Sequence, residues 1–353
     1  MAHLPYLKQS DKYNIVAVVN SSRKTAIDAI SQYGLHGAEA YESVEEMAKS
    51  PRVNLVVCAV AVFSHYNLVK PVIQAGKDIY VEWPLGATTE QAIELTELAK
   101  EKKVRAVVGL QGRASHLIST LRALLDEGRI GKPLVSQLSG STATPETGSR
   151  LPPRYSYFKD RSAEGTTGQV MMNIYLGHII DYMAAVMGEP VTLSAELKTT
   201  WPMVDIVNDD KVIETGVVKT ADDYAALQGV TTKDITFALT MRGGDAFAPE
   251  EGLVWDIIGD KAQIRVTGSN VMVNIGAEDY KVRIKDNTTG QIESVTLDSS
   301  LDVPLPAQNI GRIYENYAAG LPYCTFEQAV QRHKFLDGVF RAEKTGAATH
   351  LLD

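Results

Sequence analysis

Two stretches of the sequence combine residue types that could do chemistry. The first runs from Tyr80 to Leu85 (YVEWPL), where Glu82 and Trp83 follow an apolar segment. A carboxylate at a buried strand end can accept hydrogen bonds from a ribose or an amide, and a tryptophan can stack on a flat ring. The structural alternatives are a carboxylate with satisfied hydrogen bonds and a core tryptophan.

The second stretch runs from Gly177 to Asp181 (GHIID). It places His178 and Asp181 three residues apart, on one face of a helix. Histidine is a frequent general acid or base because its pKa can be tuned close to neutrality. A hydrogen-bonded structural histidine is the alternative for His178.

Alternating strand and helix patterns surround the first stretch. Apolar runs predict strands at Asn14–Val19, Val53–Val62 and Val104–Leu110, and helical periodicity predicts helices at Thr25–Tyr33 and Ser115–Glu127. Runs of Val and Ala are typical of parallel strands that are covered on both faces. The alternation predicts an α/β fold with a Rossmann-like doubly wound parallel sheet.

The pattern changes after Pro133 to strands separated by turns such as Gly243-Gly244. A helix at Met171–Met187 interrupts them, and Asn309–Thr345 is again mostly helical. The predicted strands are Leu134–Ser139, Thr192–Thr200, Asp234–Met241, Leu253–Ile258, Ala262–Thr267 and Val271–Ile275. We predict an α+β domain with a large open, mainly antiparallel sheet.

Composition excludes several classes of function. The chain has 353 residues, of which 44% are apolar and 22% charged, as expected for two globular domains. A net charge of −8 without a run of Lys and Arg argues against direct nucleic-acid binding. Cys58 and Cys324 have no metal-type spacing, and no apolar stretch is long enough to span a bilayer. We expect a cytoplasmic protein, with a nuclear location as the alternative, and we expect no metal site.

Four motifs resemble the Gfo/Idh/MocA oxidoreductase family, in the branch of the fungal galactose-pathway repressor and its oxidoreductase-like relatives. They are the stretches from Tyr80 to Leu85, Leu110 to Arg113, Gly128 to Gly131 and Gly177 to Asp181. The resemblance implies an NAD(P)-binding domain over residues 1–131 and a substrate and dimerisation domain over residues 132–353. It also implies a Lys beside the nicotinamide and an Asp four residues before the histidine; Trp83 and Ile174 stand in these places.

The start of a dinucleotide-binding domain is missing from the sequence. Such a domain begins with a strand and a G-x-G-x-x-G turn, whereas Met1–Leu7 resembles the later part of the helix that follows. Without this central strand, two rows of backbone groups would lack partners. We expect a natural segment of about one βα unit to be absent. A different segment that fills the gap, or an impaired half-domain, are the alternatives.

Within this family frame, the loop Asn20–Lys24 has hydroxyls and an arginine but no acid. This pattern suits the 2′-phosphate of NADP better than the ribose of NAD. Capping of the next helix by Ser22 is the alternative. The predicted cofactor contacts are Ser21, Ser22, Arg23, Ala59, Val60, His65, Glu82, Trp83, Gln111 and Arg113. The alternatives are packing or capping for His65 and an interdomain ion pair for Arg113.

Two functions follow from the resemblance. An enzyme would bind NADP(H), or NAD, and oxidise or reduce a small sugar-like or polyol-like substrate. His178 with Tyr175 or Tyr157 would handle the proton beside Asp181, under a Pro- and Tyr-rich loop. A regulator would bind the same cofactor as a sensor and contact a protein partner, which the Trp83 and Ile174 exchanges favour. A non-redox isomerase or cyclase is a third option, and a homodimer is expected.

Overall fold

We describe a computed structural model that covers residues 2–142, 148–161, 170–208, 211–297 and 301–351. The chain divides into two compact units. The first comprises residues 1–110 and 301–331, and the second comprises residues 111–300 and 332–353. The boundary predicted between residues 131 and 132 stays a prediction.

The first unit alternates strands and helices, as the sequence pattern predicts. Its elements in chain order are α1 (His3–Gln9), β1 (Ala17–Val19), α2 (Arg23–Gln32), β2 (Glu39–Tyr41), α3 (Val44–Lys49), β3 (Leu55–Cys58), α4 (His65–Gln74), β4 (Asp78–Glu82), α5 (Thr89–Lys102), β5 (Ala106–Gly109) and, near the end of the chain, α8 (Leu305–Ala319). The strands are shorter than the apolar runs, because these runs extend into the segments before and after the strands.

The parallel sheet of the first unit consists of two separate pieces. Strands β1 and β2 form one pair, and β3, β4 and β5 form a three-stranded sheet in that order. Among the described residues, β1 pairs with β2 alone and β3 pairs with β4 alone. The absence of a natural first strand stays a prediction. The predicted helical start of the chain is α1, which packs against α8.

The second unit is built on a nine-stranded sheet. Its elements are α6 (His116–Asp126), β6 (Pro133–Thr142), β7 (Arg150–Leu151), α7 (Gly177–Met187), β8 (Pro190–Lys198), β9 (Met203–Asn208), β10 (Lys211–Val218), β11 (Tyr224–Thr231), β12 (Thr236–Gly243), β13 (Leu253–Gly259), β14 (Ala262–Gly268), β15 (Lys281–Asp286), β16 (Ile292–Val295) and β17 (Thr349–His350). Helix α9 (Phe326–Thr345) begins in the first unit and ends in the second.

The large sheet has the strand order β16-β15-β14-β13-β6-β12-β11-β8-β17. Only β6 and β12 pair in parallel within it, so the predicted open, mainly antiparallel sheet is confirmed. Strands β10, β9 and β7 form a smaller sheet. In the second unit the sequence patterns missed β7, β9, β10, β11, β15, β16 and β17. Strand β10 is exposed at almost every residue, so it shows no alternation of buried and exposed positions.

Two predicted elements differ from the structure. Val271–Ile275 is a turn, not a strand, held by local bonds from the Val273 N–H to the Val271 carbonyl and from the Ile275 N–H to the Met272 carbonyl. The side chains of Val271, Met272 and Val273 are buried, whereas Ile275 is exposed. The predicted helix Met171–Met187 is divided into π-helical turns over Val170–Leu176 and the α-helix α7. None of the helices described has the length and apolarity needed to cross a membrane.

Candidate functional site

The loop after β1 presents an exposed arginine at the start of a helix. Ser22 is the N-cap of α2: its hydroxyl accepts a hydrogen bond from the Thr25 N–H (3.2 Å), and the Thr25 hydroxyl accepts one from the Ser22 N–H (3.1 Å). Ser21 and Arg23 are exposed on either side of this cap. Arg23 Nη1 lies 4.0 Å from Glu42 Oε1, and both side chains are more than half exposed. Such a contact is weak, so the guanidinium can turn to a ligand.

The loop after β3 is tied to the loop after β4 by a buried histidine. His65 begins α4 and is almost fully buried. Its Nε2 lies 3.0 Å from the Val60 carbonyl oxygen, and its Nδ1 lies 2.8 Å from the Pro84 carbonyl oxygen. Burial lowers the pKa of the imidazole, against the effect of these carbonyls. The side chain of Val60 is half exposed and Ala59 is exposed.

Glu82 ends β4 and is held by helix α1. Its Oε1 lies 2.8 Å from Nε2 of His3, whose Nδ1 lies 2.9 Å from the Tyr314 hydroxyl. A neutral His3 satisfies both partners if Nε2 donates to the carboxylate and Nδ1 accepts from the phenol. Gly109 in β5 leaves room for the carboxylate, because a Cβ there would lie 2.6 Å from Glu82 Oε2. Glu82 therefore has a hydrogen-bond partner inside the protein, as the structural alternative for this carboxylate requires.

Aromatic rings enclose this hydrogen-bonded chain. Tyr80 stacks on Tyr314 with ring centroids 5.3 Å apart, and His3 meets Tyr80 edge-on at 5.1 Å. Tyr314 also stacks on Tyr6 at 5.7 Å. Trp83 follows Glu82 and is buried, and its peptide bond to Pro84 is cis. The side chains at the carboxyl end of β4 are thus fixed from several directions.

In the second unit, Asp181 is the centre of a buried network of charges. Arg113 donates to it through Nε (2.9 Å) and Nη2, and Arg332 Nε lies 3.9 Å from its Oδ1. Arg332 also donates to Glu189. Burial lowers the pKa of Arg332 to about 10, although Asp181 opposes the shift. The predicted ion pair of Arg113 exists, and it lies inside one unit.

His178 and Tyr175 are both buried, on α7 and on the π-helical turns before it. Gln111 is buried on the short helical turn that also carries Arg113. Tyr155 and Lys159 lie on a 3₁₀-helical segment over Pro153–Lys159, and the side chain of Tyr157 lies outside the described side chains.

The structure brings some of the predicted residues together within each unit. In the first unit, His65 contacts the carbonyls of Val60 and of Pro84, the residue after Trp83. In the second unit, Arg113 contacts Asp181. The sequence patterns missed His3, Tyr314 and Arg332, since their partners are distant in sequence. The catalytic and cofactor-binding roles assigned from sequence stay predictions. Among the residues that the structure describes, no group of three or more His, Cys, Asp or Glu side chains could hold a metal ion.

Two family models match successive parts of the chain. Residues 1–110 match the Gfo/Idh/MocA family model, described as an oxidoreductase family with an NAD-binding Rossmann fold. Residues 117–268 match the model of the Gal80p C-terminal domain. Residues 1–110 therefore belong to the Gfo/Idh/MocA oxidoreductase family, and residues 117–268 are of the Gal80p C-terminal type, the branch that the resemblance predicts.

The proteins similar to this chain include a dehydrogenase and a regulatory protein. Dehydrogenase aclE of Aspergillus oryzae is 27% identical over 340 residues, which are 96% of this chain and 89% of that protein. The galactose/lactose metabolism regulatory protein GAL80 of Kluyveromyces lactis is 26% identical over 280 residues, which are 75% of this chain but only 60% of that protein. A Saccharomyces cerevisiae Gal80p super-repressor mutant shares the fold, with a TM-score of 0.88 at 21% identity over 98% of this chain and 92% of that one.

The family binds a nicotinamide dinucleotide, and the residues of this chain fit one end of it. Arg23 at the start of α2, with the Ser21 and Ser22 hydroxyls beside it, provides cationic and hydrogen-bonding groups where a ribose phosphate is bound in such folds. The sequence contains no G-x-G-x-x-G segment for the pyrophosphate. The observed fit therefore concerns the adenosine end of the cofactor.

Proposed function

We propose that the protein binds NADP(H) and is an oxidoreductase acting on a small sugar-like or polyol-like carbonyl or hydroxyl group. The single observation that carries this proposal is the similarity to Dehydrogenase aclE over 96% of the chain. Family membership supports the redox class, and the loop around Arg23 supports NADP over NAD.

In this proposal, the nicotinamide supplies or accepts the hydride, and the protein moves the proton. Trp83 cannot donate a proton as a lysine can, so its part is to exclude water from a flat ring. The proton is assigned to His178 on α7, with Tyr175 as its neighbour in sequence. The Asp181 carboxylate lies between the guanidiniums of Arg113 and Arg332. Its part is therefore to hold α7 and Arg113.

A second function is supported by the other relative. GAL80 is a regulatory protein of galactose and lactose metabolism, and this chain matches 60% of its length. A regulator of this kind would bind the cofactor as a sensor and contact a protein partner. The absence of a Lys at position 83 and of an Asp at position 174 supports this alternative, because both remove proton-transfer groups. A cytoplasmic homodimer is proposed for either function.

Titration with NADPH and NADH, followed by nucleotide fluorescence, tests cofactor binding. Turnover of NADP⁺ with a panel of sugars and polyols tests catalysis. We expect NADPH to bind at least about tenfold more tightly than NADH. We also expect His178→Ala to lower kcat by about 100-fold or more while the NADPH Kd is kept. The matched control is His36→Ala, which changes an exposed histidine.

Three outcomes separate the proposals. Failure to bind either nucleotide would overturn both functions. Cofactor binding without turnover of any substrate in the panel would contradict the proposed oxidoreductase activity and support the proposed regulatory function. Turnover that survives His178→Ala would contradict the role of His178 alone.

A further inference from the structure

His65 joins two loops at the carboxyl edge of the three-stranded sheet. It is 1% exposed, and its two ring nitrogens face two backbone carbonyls in opposite loops, Val60 at 3.0 Å and Pro84 at 2.8 Å. The first loop follows β3, and the second follows β4 and carries Trp83. These three groups are called the His65 clamp below.

The chemistry of the ring limits what the clamp can do. A carbonyl oxygen only accepts hydrogen bonds, and a neutral imidazole has one N–H, so a neutral ring can bond only one of the two loops. The other nitrogen then turns a lone pair toward a carbonyl oxygen. An imidazolium has two N–H groups and bonds both loops. The charge on the ring therefore determines whether one loop or both are held.

The groups around the ring act in opposite directions on its charge. Burial disfavours the imidazolium and is the largest effect, whereas the Val60, Pro84 and Leu85 backbone groups and the Glu82 carboxylate favour it. Cys58 at the end of β3 adds no charge near neutral pH, because burial raises the pKa of its thiol to about 12. The balance keeps the pKa of His65 below its ordinary value, so the ring is neutral at pH 7 and gains its charge on acidification.

We propose that His65 is a positioning residue that holds the loop after β3 to the loop after β4, and that protonation of its ring changes the clamp from one bonded loop to two. It does not touch the nucleotide; it acts through Val60 and Trp83. The effect on cofactor affinity rests on the proposed function, whereas the change in the loops does not.

The first experiment needs no cofactor. Two-bond ¹H–¹⁵N correlation spectra of the ¹⁵N-histidine-labelled protein report the charge and tautomer of the ring, with the signal assigned by its loss in His65→Gln. We expect one neutral tautomer near pH 8 and an imidazolium at a lower pH, together with a change in Trp fluorescence at the same midpoint. His65→Gln keeps a donor but never gains a charge, so this fluorescence change should disappear.

The second experiment measures the NADPH Kd from about pH 8 to about pH 5 in the unmodified protein and in His65→Gln. The second loop contact is one hydrogen bond. In the unmodified protein it should therefore make NADPH binding about fivefold tighter at the lower pH, and this pH dependence should be lost in His65→Gln. A purely structural role for His65 would shift the Kd equally at every pH. His36→Gln, at an exposed position, serves as the control for loss of a histidine charge.

The outcomes are distinguishable. If NADPH does not bind but the cofactor-free spectra still show the titration of His65, the proposed function is overturned and the clamp is supported. Binding of NADPH with a pH profile unchanged by His65→Gln overturns the clamp. Spectra that show the ring in one charge state over the whole range also overturn it. If His65→Gln does not fold, the His65 signal is identified by removing the signals of the other six histidines one at a time.

Discussion

Arg113 and Asp181 form a two-pronged ion pair inside the second unit, with Arg113 Nε 2.9 Å from Asp181 Oδ2 and Nη2 bonded to Oδ1. The Asp181 side chain is 1% exposed, and the buried Arg332 lies on its other side. The pair joins the turn that begins the unit to helix α7, which carries His178. The Asp181 carboxylate, which the sequence predicts to be catalytic, is thus held in a buried network of ion pairs, and its catalytic role stays a prediction.

Removal of the Asp181 charge should destabilise the protein strongly. Asp181→Asn leaves Arg113 and Arg332 without their shared anion in a buried position, and loss of one partner of a buried pair costs about 3 kcal/mol or more. Urea unfolding measures the change. The control is Asp256→Asn, which breaks the exposed pair with Arg265 and should cost at most about 1 kcal/mol. Equal losses in the two variants would contradict the burial argument.

Gly109 is expected to be necessary for the position of Glu82. In Gly109→Ala, the new Cβ would meet the Glu82 carboxylate at 2.6 Å, so the carboxylate must move from His3. Loss of a hydrogen bond to a charged group predicts a decrease of about 2 kcal/mol in the free energy of unfolding. Gly148→Ala is the control, since no atom of the described residues lies within 4 Å of the Cβ built there.

A double-mutant cycle shows whether the cost arises at His3. His3→Leu should be much less destabilising in the Gly109→Ala background than alone, because the contact has already been broken. If the losses in the free energy of unfolding are additive, the cost of Gly109→Ala does not arise from the contact between Glu82 and His3.

The local part of the fold is predictable from the sequence, because its causes are local. The sequence predicts a helix from Ser115, and the Ser115 hydroxyl accepts a hydrogen bond from the Ile118 N–H at 3.2 Å at the start of α6. The contacts of Glu82 with His3 and of Asp181 with Arg332 could not be predicted, since each joins segments that come together only on folding. Strand β10 was missed for another reason: nearly all of its residues are exposed, so burial leaves no period in its sequence.

Arg23 should determine the choice between NADPH and NADH. Arg23→Ala is expected to raise the NADPH Kd by about 10-fold to 100-fold, because a charge-assisted bond to the 2′-phosphate is lost, and to leave the NADH Kd unchanged. Lys24→Ala, at the adjacent exposed cation, tests whether any positive charge near α2 has the same effect. Equal weakening for both nucleotides would place the guanidinium elsewhere than at the 2′-phosphate.

His65 should make the protein less stable in acid. Burial lowers its pKa in the folded state, whereas the unfolded chain has the ordinary value near 6.5. Well above pH 6.5, both states are neutral and the histidine adds no pH dependence. As the pH falls below about 6.5, the unfolded chain takes up the proton first, so the free energy of unfolding decreases until the pH passes the lower folded pKa. Urea unfolding at a series of pH values measures this slope. His65→Gln should flatten it in that window, whereas His36→Gln, at an exposed position, should not. A slope that is the same in His65→Gln and in the unmodified protein would show that the acid sensitivity arises from other groups.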